Sequence, residues 1–296
     1  MQKAILLIAT ALLIASCGTS KKKVETRPVA ETPDDGITNV IPMEVTIDIP
    51  EVEEENTVEM ETEVDDEMES ETEEMETSTE ASKSVDHTPW NSLLKQNVTA
   101  VGNVNYEGFR KNRSLLLAYI DMLGKNLPSD SWTKEEKLAY WMNAYNAMTV
   151  DLILRNQPLK SIKDIKDPWE QRYWKLGAKY YNLDEIEHQI LRKMEDPRIH
   201  FGINCASFSC PPLLNIAFTS EKVNDQLDFL ARRFINDPTR NTITADSVEI
   251  SKIFDWFSKD FKQNGSVIDY LNTYSETKIN NNTRIRYKDY DWILNK

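Results

Sequence analysis

Thr133-Lys134-Glu135-Glu136-Lys137-Leu138-Ala139-Tyr140-Trp141-Met142-Asn143-Ala144-Tyr145-Asn146-Ala147-Met148-Thr149-Val150-Asp151-Leu152-Ile153-Leu154-Arg155 opens with Thr and, three residues on, Glu, the capping box of a helix start. Leu138, Trp141, Met142, Tyr145, Met148, Thr149, Leu152 and Ile153 then recur at helical spacing as a wide apolar stripe, and Gln157-Pro158 ends it. This predicts the central helix of a domain. Asn143 and Asn146, one turn apart beside the stripe, are candidates for orienting a partner side chain or for satisfying a loop carbonyl.

Outward from this helix the signals are local. Trp169 to Tyr181 is an aromatic segment around Gly177, read as a turn and short strand, and its rings suit a peptide or glycan ligand or a packed core equally. Asn182-Leu183-Asp184-Glu185 caps a second helix to about Lys193, with Ile186, Ile190 and Leu191 inward and Glu187 and His188 in its middle. Alternation over Arg198 to Asn204 predicts a strand with His200 and Asn204 on one face, followed by a turn, Cys205 to Pro212, that carries both cysteines of the C-terminal part. Helical patterns follow at 220–234, 253–261 and 266–274, with a hairpin at 242–250 and a closing strand near Ile285 and Tyr287. The expected class is α+β: one helix-rich domain with a small, mainly antiparallel sheet.

Charge divides the chain more sharply than periodicity does. The net charge is −14, yet Val24 to Asp86 alone holds 23 Asp and Glu against two basic residues, and His87 to Lys296 is slightly basic. Repeats such as Glu71-Thr72-Glu73-Glu74-Met75-Glu76 have no core-forming period, so residues 18–86 are expected to be a disordered acidic spacer reaching on the order of 45 Å or more. Before it, Lys3, the apolar run Ala4 to Ala15, and Ser16-Cys17 have the pattern of an export signal too short to span a bilayer. Ile14-Ala15-Ser16-Cys17 resembles a bacterial lipoprotein processing box. That likeness implies removal of the preceding segment, acylation of Cys17 with fatty chains such as palmitate, and a lipid bilayer as partner. The expected location is the cell envelope, lipid-anchored on the periplasmic side of a membrane or at the cell surface. Residues 87–296 hold all seven tryptophans and no basic stripe or repeat, which argues for one globular domain and against nucleic-acid binding.

Several blocks of this domain together resemble one family. They are Tyr140 to Ala147, Leu183 to Arg192, Asp196 to Phe201, Asn204-Cys205, Ser209 to Pro212, Ile253 to Trp256 and Tyr290-Asp291-Trp292. In this order they are similar to the family called domain of unknown function 547, found in bacterial exported proteins and in plants. The resemblance implies the domain but no reaction. Plant members often lack the second cysteine, which makes Cys205 the thiol of greater interest.

Three accounts of the site stay open on the residues. An exported chain with Cys205 and Cys210 five apart favours a disulfide closing the turn, with His200 satisfied inside the sheet and the domain serving as a binding or scaffolding module. A thiol-dependent hydrolase or acyl transferase would pair Cys205 with His200, oriented by Asn204 and completed by Glu187 or His188. That logic resembles papain-like and transglutaminase-like enzymes, except that the start of the central helix offers Ser131 and Thr133 rather than a cysteine. Finally, His188, His200, Cys205 and Cys210 are the right inventory for tetrahedral zinc, though their spacing follows no finger pattern. In the first two accounts no cofactor is needed.

Overall fold

The computed structural model describes residues 85–296. The export segment, Cys17 and nearly all of the acidic stretch lie outside the described residues.

Helices α1 (Thr88–Asn97), α2 (Tyr106–Lys111) and α3 (Arg113–Lys125) lead to the central α4 (Lys134–Asn156). The start of α4 is the one its sequence dictates: Glu136 N donates to Thr133 Oγ1 at 3.1 Å and Thr133 N donates to the Glu136 carboxylate at 2.7 Å. The expected apolar stripe is too narrow, because every residue from Leu138 to Leu154 is buried. Helices α2 and α3 pack on α4 together with a later helix, α7 (Val223–Ile235), so no face of its buried stretch is left to solvent. Polar groups on a helix enclosed in this way must find partners. Asp151 accepts from Arg113 at 2.9 Å, Arg155 at 2.5 Å and Trp174 Nε1 at 2.9 Å. The carboxylate thereby ties α4 to α3 and to strand β1 (Trp174–Leu176).

Strand β1 pairs antiparallel with β2 (Lys179–Tyr181) through a turn at Gly177, whose φ of 59° is the left-handed value that glycine takes freely. The aromatic segment is therefore a hairpin, and its tryptophan at 174 is core while Tyr173 and Tyr180 are exposed. The next helical stretch begins where expected but is not a regular α-helix. Asn182 caps α5 (Leu183–Glu185), after which the backbone widens into a π turn over Ile186–Ile190 and tightens into a 3₁₀ turn over Leu191–Met194. Such widened turns recur at functional sites, and this one carries Glu187 and His188.

The predicted strand at 198–204 is instead a short helix, α6 (Ile199–Gly202). Asp196 starts the turn by accepting from Arg198 N at 3.0 Å, and Ile203 N closes it on Ile199 O at 3.0 Å. Ile199, His200, Phe201, Gly202 and Ile203 are all buried. Alternation of side-chain type says nothing about faces when both faces are enclosed.

Helix α7 (Val223–Ile235) follows, then β3 (Thr242–Ile243) paired antiparallel with β4 (Val248–Ile250) in the expected hairpin. The aromatic helix at 253–261 is broken at Phe257 into α8 (Ile253–Trp256) and α9 (Ser258–Phe261), after which come α10 (Val267–Tyr274) and β5 (Ile285–Tyr287). Strand β5 joins β4 in parallel. Of the three strand pairings two are antiparallel, and the class is α+β as expected. The chain end then crosses the cysteine turn: Phe208 N donates to Ile293 O at 2.7 Å, Ser209 N to Asp291 O at 3.1 Å, and Asn295 N to Ala206 O at 3.2 Å.

Candidate active site

The turn that carries the cysteines is fixed by two asparagines. Asn146 on α4 receives Asn204 N at 2.8 Å and donates to Gly202 O at 2.9 Å, so it grips the backbone on both sides of Ile203. Asn204 accepts from Ala206 N at 2.9 Å and donates to Pro211 O at 2.8 Å, closing both ends of the turn. Directly after Cys205, Ala206 sits at φ 59°, a left-handed value that disfavours side chains and reverses the chain sharply. Asn143, by contrast, exchanges two hydrogen bonds with the backbone of Phe218 and takes no part in the site.

Both cysteines are free thiols, so the expected disulfide is not formed. They are linked by hydrogen bonds instead. Cys205 N donates to Cys210 Sγ at 3.0 Å, Cys210 is buried, and Cys205 is partly exposed. Around Cys205 Sγ stand Ser207 Oγ at 2.9 Å and Tyr290 Oη at 3.2 Å, with Ser207 Oγ donating to Tyr290 Oη at 3.1 Å. The bond from the Cys210 thiol, working against burial and helped by the Ser207 and Tyr290 hydroxyls, lowers the Cys205 thiol to about 6. Burial and the neighbouring Cys205 sulfur push Cys210 the other way. The two thiols are thus driven apart, the outer one toward ionisation and the inner one away from it.

Cys205 opens into a cleft of about 700 Å³ that is also lined by Glu187, Tyr145 and His188. Glu187 is buried and accepts from Tyr145 Oη at 3.2 Å. Desolvation outweighs that bond and raises its carboxyl to about 7. In this cleft the thiol is shifted down and the carboxyl up, toward one another from their ordinary values.

His200 lines the same cleft but does not pair with either sulfur. Its ring lies on Phe257 at 3.9 Å between centroids, and its Nε2 is held by Asp260 at 2.8 Å. Its buried Nδ1 has no hydrogen-bond partner. The proposed Cys205–His200 couple is therefore absent, because α6 turns the ring toward α9 where a strand would have turned it with Asn204. Burial lowers the pKa of this imidazole against the pull of Asp260. Burial opposes ionisation of Asp260 as well, but bonds from His200 and from Arg192 at 2.6 and 2.8 Å hold its carboxyl well below the usual range. Arg192 in turn meets His188 Nδ1 at 2.9 Å. Both histidines are committed to this network, and among the described residues no three His, Cys, Asp or Glu side chains converge so as to hold a metal ion. The zinc set of His188, His200, Cys205 and Cys210 is thus not assembled.

The cleft rim is aromatic. Tyr290 packs on Trp292 at 4.5 Å and on Trp256 at 4.8 Å, and Trp169 meets Trp292 at 5.9 Å. Of the segment 169–181, only Trp169 and Glu170 reach the cleft. Tyr145, Ser207, Asp260 and Tyr290 are site residues that the sequence reading did not select. The one signal for Tyr290 was its place in the block Tyr290-Asp291-Trp292, and Asp260 carried none.

Fold and site together define an α+β domain with a partly exposed, hydrogen-bonded thiol in an aromatic-rimmed cleft. Residues 129–235 match the model of the family described as "Protein of unknown function, DUF547", which supports the family likeness over that segment. It spans α4, Glu187 and both cysteines, while Asp260 and Tyr290 come from beyond it. Comparison with the curated proteins and with the solved structures finds no match. Among the described residues no helix is long and apolar enough to cross a membrane.

Proposed function

We propose that this domain is a thiol-dependent hydrolase or acyl transferase, carried on an exported protein that is anchored in a membrane by lipid on Cys17. The observation that carries the catalytic reading is the Cys205 sulfur, partly exposed in the cleft and surrounded by hydrogen-bonding groups from Ser207, Tyr290 and Cys210. In this reading Cys205 attacks an acyl carbon as a thiolate and needs no histidine to ionise it. Glu187, whose carboxyl is raised to about 7 and so is partly protonated near neutrality, donates a proton to the departing amine or alcohol. His200, fixed by Asp260 and stacked on Phe257, shapes the cleft wall. The aromatic rim, with Trp169, Trp256 and Trp292, is where a peptide or glycan portion of the substrate rests.

A generic activated ester tests the chemistry without a known substrate. Incubated with p-nitrophenyl acetate at pH 7, the protein is expected to release nitrophenol in a burst and to carry an acetyl group on the peptide containing Cys205. Cys205→Ser abolishes the burst and Cys210→Ser retains it. No acyl adduct, or an adduct on another residue, overturns the reading.

A further inference from the structure

Only one of the two sulfurs is needed for acyl transfer, and the second is placed with more care than a spectator requires. Cys210 lies on the inner side of Cys205, buried, with its Sγ 3.0 Å from Cys205 N and turned toward Ile203 O at 4.0 Å. Asn204 locks the two ends of the loop between them through Ala206 N and Pro211 O. A partly exposed sulfur in the cleft wall with a buried one set behind it, close enough to accept from its backbone N–H, is the arrangement of an attacking and a resolving thiol. Neither a lone nucleophile nor a bridged structural turn accounts for it.

We propose that Cys205 and Cys210 form a redox-active dithiol that exchanges with a peptide disulfide entering the cleft. The inference rests on Cys205 being the nucleophile, and adds Cys210 as its partner. In the first step the Cys205 thiolate attacks one sulfur of the substrate disulfide, an S–S bond forms between Cys205 and that half, and the other half leaves as a thiolate. The departing thiolate takes the proton of Cys210. In the second step the Cys210 thiolate attacks Cys205 Sγ, the mixed S–S bond breaks, and the remaining half leaves as a thiolate. The dithiol has been oxidised by two electrons, the substrate disulfide reduced to a thiol and a thiolate, and one proton has moved from Cys210 to substrate. The mixed disulfide has little lifetime because the resolving sulfur already lies 3.0 Å from the backbone N of Cys205.

Oxidised glutathione, a small peptide disulfide, serves as the probe. The full chain is equilibrated with a series of reduced-to-oxidised glutathione ratios, quenched with acid, and analysed by mass spectrometry after alkylation of the remaining thiols. The expected result is a smooth, reversible passage from two free thiols to a Cys205–Cys210 bridge, with little glutathione bound at any ratio. Cys210→Ser is expected to accumulate a glutathione adduct on Cys205 at least tenfold above wild type. Equal adduct levels in the two proteins, or a bridge that no ratio opens, overturns the dithiol. Iodoacetamide labelling of the reduced wild-type protein separates the two readings. If Cys205 labels readily at pH 7 but no bridge forms in wild type, only the dithiol fails; if Cys205 does not label, the nucleophile fails with it.

Discussion

At the residue scale the site is a contest between burial and hydrogen bonds, with a different winner at each group. For Glu187 burial wins, and its carboxyl lies at about 7 in the fold against roughly 4.3 in an unfolded chain. A carboxyl raised on folding binds more protons in the native state than in the unfolded one between those values, so its contribution to stability is lost as pH rises from about 4.5 to about 7. Replacing Glu187→Gln is expected to remove that loss. Urea unfolding at pH 4.5 and pH 7 should show wild type losing on the order of 3 kcal/mol more than the variant. Equal pH dependence of the two proteins contradicts the buried carboxyl. For Cys205 the hydrogen bonds win, and one of them is removable without a cavity. Tyr290→Phe deletes the hydroxyl 3.2 Å from the sulfur and is expected to raise the pH at which alkylation is half-maximal by about one pH unit. An unchanged alkylation profile would mean that Tyr290 merely packs there.

Between elements, the domain hangs on α4, and the polar residues of α4 hold what its apolar ones bury. Asp151, fully enclosed, joins α4, α3 and the β1–β2 hairpin through Arg113, Arg155 and Trp174. Asp151→Ala leaves two guanidinium groups and an indole N–H without their shared acceptor, and is expected to cost about 3 kcal/mol by denaturant unfolding; a loss under 1 kcal/mol contradicts this anchoring role. This is also the scale at which sequence and structure part company. The capping box of Thr133 and Glu136, the stop at Gln157-Pro158, the Asn182 cap and the hairpin at 242–250 act within a few residues, and each was legible. The segment 198–204 was not, because a side-chain alternation distinguishes faces only when one face meets water, and here Ile199 to Ile203 are enclosed on both. The break at Phe257 was equally invisible, yet it sets Phe257 on the face of His200 and Asp260 on its edge. Tyr290 reaches Cys205 across 85 residues of chain, a contact that no local pattern encodes. The cysteine turn and Glu187, both singled out in the sequence, do line one cleft, whereas the imidazole of His200 is bonded to Asp260 and not to a sulfur.

For the whole molecule, the proposal joins a cleft built for thiol chemistry to a long acidic stretch and an N-terminal lipid. If the lipid is on Cys17, Cys17→Ser is expected to move the protein from the membrane fraction to the soluble one after cell fractionation, and continued membrane association would contradict the anchor. The Asp and Glu of residues 24–86 belong to a different part of the sequence from the slightly basic residues 87–296. The central claim is nevertheless about one sulfur. Its most direct measurement is the rate of iodoacetamide labelling at Cys205 and Cys210, followed by peptide mass spectrometry from pH 5 to pH 9 on the native protein. The account predicts that Cys205 labels with a half-maximum near pH 6 while Cys210 stays unlabelled. A half-maximum in the ordinary thiol range of about 8.5, or equal labelling of both sulfurs, would contradict it.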